Sequence, residues 1–65
     1  MKIFVNGEPA ETAAADLATA LEELGFGQAR VATAVNEVFV PAAARSGHVL
    51  EAGDRLEILS PQQGG

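Results

Sequence analysis

A single stripe of apolar residues with helical spacing constrains the fold of this chain more than any other feature. Four residues fall at positions i, i+3, i+4 and i+7: Leu17, Ala20, Leu21 and Leu24. They share one face of an amphipathic helix, for which Asp16 is a suitable N-cap and Gly25 a suitable end. A leucine stripe of this kind usually packs into a hydrophobic core, so we assign it to the core and not to a groove for a partner.

The segment before this helix has the pattern of a β-hairpin. Residues 2–6 alternate as the two faces of a strand do, and they lead into Asn6-Gly7, the dipeptide best suited to a tight type I′ turn. The second strand is predicted at about Glu8 to Thr12. It contains Pro9, which cannot donate a ladder hydrogen bond and therefore indicates an edge strand or a strand start.

The segment after the helix has the pattern of three further strands. Their residue patterns predict strands at 30–36, at 38–40 and from 55 to about 59. Pro41 closes the second of them, and the alanine-rich connection that runs to Gly47 has room for one helical turn. Gly53-Asp54 provides the turn into the last strand.

The order strand, strand, helix, strand, short strand, strand predicts the fold class. Because one convincing helix is present, the chain cannot consist of repeated βαβ units. We predict an α+β roll, in which one helix packs across one face of a mixed sheet. With 65 residues the chain is long enough for one core. We predict a domain over residues 1–60 and a flexible C-terminal tail over residues 61–65 that ends in Gly-Gly.

Composition and charge argue against several functions. The chain has no cysteine, which excludes disulfide scaffolds, thiol nucleophiles and cysteine-ligated zinc. The formal net charge is −5, and the four cations Lys2, Arg30, Arg45 and Arg55 are scattered. Nucleic-acid binding needs clustered cations and is not expected. His48 has no neighbours suited to a metal site or a catalytic dyad, so we predict a surface histidine and no metal site.

No segment signals export or membrane insertion. Met1 is followed directly by a strand pattern, without the basic region and the apolar stretch that such signals need. We therefore expect the cytoplasm as the compartment and no membrane partner, and we expect the free protein to be a monomer.

The last two residues, Gly64 and Gly65, are the strongest candidates for chemistry. Glycine has no side chain, so a Gly-Gly end fits a narrow slot and presents a bare carboxylate. Converting that carboxylate to an acyl-adenylate would supply a good leaving group for attack by sulfur or nitrogen. Residues 60–65, fully extended, span on the order of 20 Å, and Gln62 and Gln63 offer amides to an enzyme channel. Plain solvent exposure of the glutamines, and terminal glycines without a function, are the alternatives.

Five elements of the chain together resemble one protein family. They are the Asn6-Gly7 hairpin, Leu21-Glu22-Glu23-Leu24-Gly25, Ala34-Val35-Asn36 leading to Val40-Pro41, Gly53-Asp54-Arg55-Leu56-Glu57-Ile58, and Gly64-Gly65. In their order and spacing they resemble the thiamine-biosynthesis sulfur carrier proteins, which are ubiquitin-like β-grasp proteins. The resemblance spans the entire chain.

The resemblance implies a carrier and not an enzyme. An activating enzyme would adenylate the carboxylate of Gly65 with ATP, and a sulfur donor enzyme would convert it to a thiocarboxylate. Thiazole synthase would accept the sulfur, while Gly64, Gln63 and Gln62 would lie in the enzyme channel. No cofactor would be bound, because the activating enzyme consumes the ATP.

Other functions stay open on the residues alone. The same terminus would suit the small subunit of molybdopterin synthase or another sulfur-transfer pathway. It would also suit a ubiquitin-like modifier that is joined through Gly65 to lysines of other proteins. A passive β-grasp interaction module with an inert tail is the third alternative.

Overall fold

A computed structural model describes residues 1–60. Among these residues the elements are β1 (Lys2–Val5), β2 (Glu8–Glu11), α1 (Leu17–Glu23), β3 (Ala32–Val35), β4 (Val38–Val40), a 3₁₀ helix (Ala42–Gly47) and β5 (Arg55–Leu59). The predicted order of strands and helix is confirmed, and the connection after Pro41 contains a helical turn.

The five strands form one mixed sheet with the spatial order β2-β1-β5-β3-β4. One antiparallel hairpin consists of β1 and β2, and the other of β3 and β4. Between the hairpins lies β5, which is parallel to β1 and antiparallel to β3. The last strand in the sequence is therefore the central strand, and it carries the chain to Ser60 from the middle of the sheet.

The ends of α1 follow from its capping residues. Asp16 caps the first turn, because its Oδ1 accepts a hydrogen bond from the Thr19 N–H at 2.8 Å. Gly25 has a φ of 93°, and the residue after it donates its N–H to the Leu21 carbonyl at 2.8 Å, which is the long bond of a Schellman motif. Both predicted caps are confirmed, although α1 is short and Leu24, the last residue of the stripe, is its C-cap.

The core lies between α1 and one face of the sheet. Its buried apolar residues are Ile3, Ala14, Leu17, Ala20, Leu21, Val35, Val40, Leu50, Leu56 and Ile58. Leu24 is partly buried and packs against them. Burial of each large side chain contributes about 1.5–3 kcal/mol. The assignment of the leucine stripe to the core and the α+β fold class are confirmed.

Two strands are shorter than predicted, β2 by one residue at its end and β3 at both ends. The chain leaves β2 at Thr12, whose hydroxyl accepts a hydrogen bond from the Ala14 N–H at 3.0 Å. Before β3, the Val31 carbonyl accepts a hydrogen bond from Arg45 Nη2 at 2.6 Å. After β3, Asn36 belongs to the hairpin turn, with a φ of 51°.

Within residues 1–60, no helix has the length and apolar character needed to cross a membrane. The predicted division into a domain over residues 1–60 and a tail over residues 61–65 stays a prediction, because residues 61–65 lie outside the described residues.

Candidate functional site

The residues predicted to carry the chemistry lie outside the described residues. They are Gly65, predicted to be adenylated and converted to a thiocarboxylate, and Gly64, Gln63 and Gln62, predicted to bind an enzyme channel. Their roles stay predictions. The described residue nearest to them in the sequence is Ser60, directly after β5, so the end of β5 and the surfaces around it form the described part of the candidate site.

The alternation of β5 divides the two faces of the sheet. Leu56 and Ile58 are buried against α1, whereas Arg55, Glu57 and Leu59 are exposed on the opposite face. The alternation follows from the pleat of a strand, in which successive side chains point to opposite faces. The sheet therefore has an open face, without α1, that reaches the end of β5.

An apolar patch lies on this open face beside the end of β5. Leu59 pairs with Ala32 of β3, and Ala34 of β3 pairs with Phe39 of β4. Leu59 is 68% exposed and Phe39 is 65% exposed. We call these four residues the open-face patch. Exposed large apolar side chains on one face are typical of a surface that contacts a partner.

The two turn asparagines hold β5 from opposite sides. Asn6 Oδ1 accepts a hydrogen bond from the Ile58 N–H at 2.9 Å, and Asn6 Nδ2 donates to the Ile58 carbonyl at 3.2 Å. Asn36 Oδ1 accepts from the Arg55 N–H at 3.0 Å, and Asn36 Nδ2 donates to Asp54 Oδ1 at 3.0 Å. One asparagine therefore binds β5 near its end and the other at its beginning.

Charges around the open face form weak contacts. Arg55 Nη2 and Glu37 Oε2 lie 3.8 Å apart, with both side chains largely exposed, and exposed pairs of this kind contribute at most about 1 kcal/mol. Lys2 Nζ lies 5.7 Å from the centre of the Phe4 ring. These contacts leave the open face accessible, on a protein whose net charge of −5 favours a basic partner surface.

A shallow cleft lies between α1 and the 3₁₀ helix. Its volume is about 180 Å³, and it is lined in part by Glu22, Phe26 and Arg45. Small-molecule sites usually have volumes of about 300–1,000 Å³, so the cleft is too small for a nucleotide.

The structure also places the histidine. His48 is half-buried, and its backbone carbonyl accepts a hydrogen bond from the Leu17 N–H at 3.0 Å. Within residues 1–60, no three side chains of the His, Asp or Glu type form a group that could hold a metal ion. The backbone of His48 thus joins the loop before β5 to the start of α1.

Sequence reasoning missed the carboxamide of Asn6 and the exposure of Phe39. Asn6 was interpreted as a turn residue, and nothing in the sequence reveals that its side chain reaches a strand 52 positions away. Phe39 carried a usable signal. The segment Val38-Phe39-Val40 is apolar throughout, whereas an outer strand with one covered face needs apolar residues on that face only.

The geometry defines a class of small β-grasp proteins, with one helix across a mixed sheet and a central last strand that leads to the carboxyl-terminal residues. The model of the ThiS family matches residues 3–65 of this chain. The crystal structure of a thiamine biosynthesis protein (ThiS) from Geobacter metallireducens is similar, with a TM-score of 0.83, 28% sequence identity and a match covering 100% of both chains. No curated protein gives a significant match.

The chain therefore belongs to the ThiS family, the ubiquitin-like sulfur carriers of thiamine biosynthesis. The resemblance inferred from the sequence is confirmed, and so is the β-grasp fold. Membership implies in general terms that the protein interacts with an activating enzyme and a thiazole synthase.

Proposed function

We propose that this protein carries sulfur as a thiocarboxylate on Gly65 and donates it for formation of the thiazole ring of thiamine. The observation that carries the proposal is that the family match continues to residue 65 and so includes both Gly64 and Gly65. The full coverage of both chains in the match to the Geobacter protein supports it.

The chemistry begins at the carboxylate of Gly65. A carboxylate oxygen attacks the α-phosphorus of ATP in the activating enzyme, and pyrophosphate leaves. The resulting acyl-adenylate has AMP as its leaving group. A sulfur donor enzyme supplies sulfur at the oxidation level of sulfide. This sulfur attacks the acyl carbon, AMP departs with the bonding electron pair, and a thiocarboxylate remains.

The folded body serves as the recognition element and is not the catalyst. The open-face patch is the surface that docks on the activating enzyme, because Leu59 is both a member of the patch and the last residue of β5. Docking there places the start of residues 61–65 at the edge of the interface. Gly64, Gln63 and Gln62 then occupy the enzyme channel, and the narrow glycines allow close approach to the acyl carbon.

The proposal also covers the free protein. Residues 1–60 form the domain and residues 61–65 a tail, and the protein is a monomer that acts in the cytoplasm without a bound cofactor. The activating enzyme, the sulfur donor enzyme and thiazole synthase are its partners in turn.

Mass spectrometry of a reconstituted reaction tests the proposal. The protein is incubated with the activating enzyme, ATP and sulfide, and we expect replacement of one oxygen by sulfur at Gly65. A variant that lacks Gly65 is the matched control and is expected to stay unmodified. Amide-linked adducts on lysines of other proteins, sought in material isolated from the protein's own cells, would indicate a modifier instead, and an unmodified Gly65 in the reconstituted reaction would contradict the proposal.

A second reaction tests the acceptor. Purified thiocarboxylated protein is added to thiazole synthase with its other substrates, and we expect thiazole formation and return of Gly65 to a carboxylate. Turnover by molybdopterin synthase and not by thiazole synthase would assign the carrier to the other pathway.

A further inference from the structure

Asn6 directly follows β1, at the point where the parallel pairing of β1 with β5 ends. Its backbone N–H still belongs to the ladder, because it donates to the Leu56 carbonyl at 2.8 Å. Its φ of 50°, followed by 87° at Gly7, then turns the chain away into β2. Parallel pairing between β1 and β5 ends at the pair of Val5 and Leu56. Beyond the pair of Val5 and Leu56, β1 forms no further strand pair with β5, although β5 continues for three more residues.

The side chain of Asn6 continues the ladder where its backbone leaves it. A peptide unit offers one carbonyl and one N–H, and a carboxamide offers the same pair of groups. Asn6 Oδ1 accepts from the Ile58 N–H at 2.9 Å, and Asn6 Nδ2 donates to the Ile58 carbonyl at 3.2 Å. The carboxamide thus satisfies the two backbone groups of Ile58 that a continued β1 would otherwise pair.

On its other side, β5 is paired with β3 as far as its last residue. Leu59 pairs with Ala32, and Ile58 pairs with Thr33 of β3. With Asn6 bound to Ile58, the central strand is held from both sides to within two residues of Ser60. Without the carboxamide, β3 alone would hold the last residues of β5, as at the edge of a sheet.

We propose that Asn6 is a positioning residue for the carboxyl-terminal glycine, and this inference rests on the proposed function. By fixing Ile58 in the ladder, Asn6 orders the backbone from which residues 61–65 follow. The activating enzyme then meets a strand end that is already ordered. Each backbone residue that must instead be ordered on docking weakens binding, because its conformational entropy is lost at that moment.

Asn36 provides a matched control for a purely structural role. It is also the first residue of a two-residue turn, with a φ of 51°. Its N–H donates to the Arg55 carbonyl at 2.8 Å, and its Oδ1 accepts from the Arg55 N–H at 3.0 Å. Asn36 therefore binds the same strand through its backbone N–H and its Oδ1, at the beginning of β5 and not at its end, while its Nδ2 donates to Asp54 Oδ1 at 3.0 Å.

Glycine substitutions remove each carboxamide without straining the turn, since glycine adopts positive φ values freely. The variants are Asn6→Gly and Asn36→Gly, and urea unfolding first establishes that both are folded. The activating enzyme is then assayed at saturating ATP with the carrier concentration varied. For Asn6→Gly we expect KM for the carrier to rise about tenfold, because one or two residues are left to be ordered on docking, and kcat to stay within about twofold.

The Asn36→Gly variant is expected to keep both KM and kcat within about twofold of the unsubstituted protein. Asn6→Asp is only a partial rescue, because it keeps the acceptor for the Ile58 N–H but replaces the donor to the Ile58 carbonyl by a carboxylate oxygen that the carbonyl repels. Its KM should lie between those of Asn6→Gly and the unsubstituted protein. Amide hydrogen exchange adds a direct readout: Asn6→Gly should accelerate exchange at Ile58 and Asn36→Gly at Arg55.

The outcomes separate this inference from the function on which it rests. An unchanged KM in Asn6→Gly, with normal adenylation of the unsubstituted protein, overturns the positioning role and leaves the proposed function intact. An equal rise in Asn36→Gly also overturns it, because the effect would then follow general stability. If the unsubstituted protein is not adenylated at all, the proposed function fails and the positioning role fails with it.

Discussion

The two hairpins of the sheet have the same geometry but differ in sequence at the turn. Both have two-residue turns that begin with asparagine, and both central residues have positive φ: 50° and 87° at Asn6 and Gly7, 51° and 72° at Asn36 and Glu37. Positive φ values at both positions define a type I′ turn. Outside glycine, this conformation is disfavoured by about 1–2 kcal/mol per residue. At their second position the turns therefore differ: Gly7 is suited to positive φ, and Glu37 is not.

The hairpins also differ at their outer edges. Pro9 of β2 and Phe39 of β4 occupy equivalent positions, two residues after the turn, opposite Phe4 and Ala34. Proline and charged residues such as Glu8 and Glu11 protect an edge strand from pairing with other chains. The apolar edge at Phe39 has no such protection. The contrast identifies the β4 side of the molecule, which contributes Phe39 to the open-face patch, as the side suited to partner contacts.

A third difference lies in the core, at the inner strands. Ile3 of β1 and Thr33 of β3 are equivalent, since each lies two residues before the last strand residue, and both are buried, at 0% and 2% exposure. Ile3 is held by apolar packing. Thr33 instead donates its hydroxyl to the Val40 carbonyl at 2.8 Å and accepts from Arg45 Nε at 3.0 Å. At this position the first hairpin is thus held by apolar packing and the second by hydrogen bonds, although Val35 and Val40 of the second hairpin are also buried in the core.

The largest expected effect comes from removing the anchor of the first hairpin. Ile3→Ala deletes a fully buried side chain and should lower the free energy of unfolding by about 2–5 kcal/mol, most of what a domain of this size has. Ile3→Val is the matched control, with an expected loss of about 0.5–1.5 kcal/mol. Urea unfolding followed by circular dichroism measures both. Equal stability of Ile3→Ala and the unsubstituted protein would show that the first hairpin does not depend on apolar packing.

The corresponding test of the second hairpin is Thr33→Val. This change keeps the shape of the side chain, removes the hydroxyl hydrogen bond to the Val40 carbonyl and leaves Arg45 Nε without its acceptor, so we expect a loss of about 1–3 kcal/mol. Thr33→Ser keeps the hydroxyl and should lose about 1 kcal/mol for the missing methyl group. The same urea titration decides the question. A Thr33→Val protein more stable than Thr33→Ser would mean that packing, and not hydrogen bonding, anchors both hairpins.

A smaller effect is expected from straining the first turn. Gly7→Ala introduces a Cβ that has no heavy atom within 4 Å but requires a φ of 87°, and we expect a loss of about 1 kcal/mol. Gly47→Ala is the control, because its Cβ also meets nothing within 4 Å and its φ is not positive. Comparing the thermal unfolding of the two variants separates the cost of the positive φ at Gly7 from other effects of the added methyl group. If both alanine variants lose equal stability, the turn conformation is not the cause.

The same contrast shows which parts of the fold the sequence could predict. Asn6-Gly7 has the residues that a type I′ turn favours, so the first hairpin was predictable in detail. The turn at Asn36-Glu37 was not, because glutamate is uncommon at positive φ and only the flanking strand pattern indicated a second hairpin. The helix was predictable because Asp16 and Gly25 mark its ends. Short-range rules of this kind cover most of the described fold.

The candidate site was less predictable, for a physical reason. The role assigned to Gly65 came from the chemistry of a bare carboxylate and from family resemblance, and it needs no tertiary contact. The contact of Asn6 with Ile58 depends on the parallel register of β1 and β5, which brings together residues 52 positions apart. Local sequence patterns do not specify such a register, so this contact became visible only in the fold.

The smallest expected effect is a gain in stability from relieving the second turn. Glu37→Gly removes the Cβ that opposes a φ of 72°, which should contribute about 1–2 kcal/mol. Glycine also increases the conformational entropy of the unfolded chain, which offsets about 0.5–1 kcal/mol of this gain. In addition, the substitution removes the exposed ion pair with Arg55, which contributes little to stability. We therefore expect a net gain of about 0.5 kcal/mol in urea unfolding. Glu37→Ala is the control, since it removes the charge but keeps the Cβ, and it should give no gain. A gain in Glu37→Ala equal to that in Glu37→Gly would assign the effect to the charge and remove the proposed difference between the two turns.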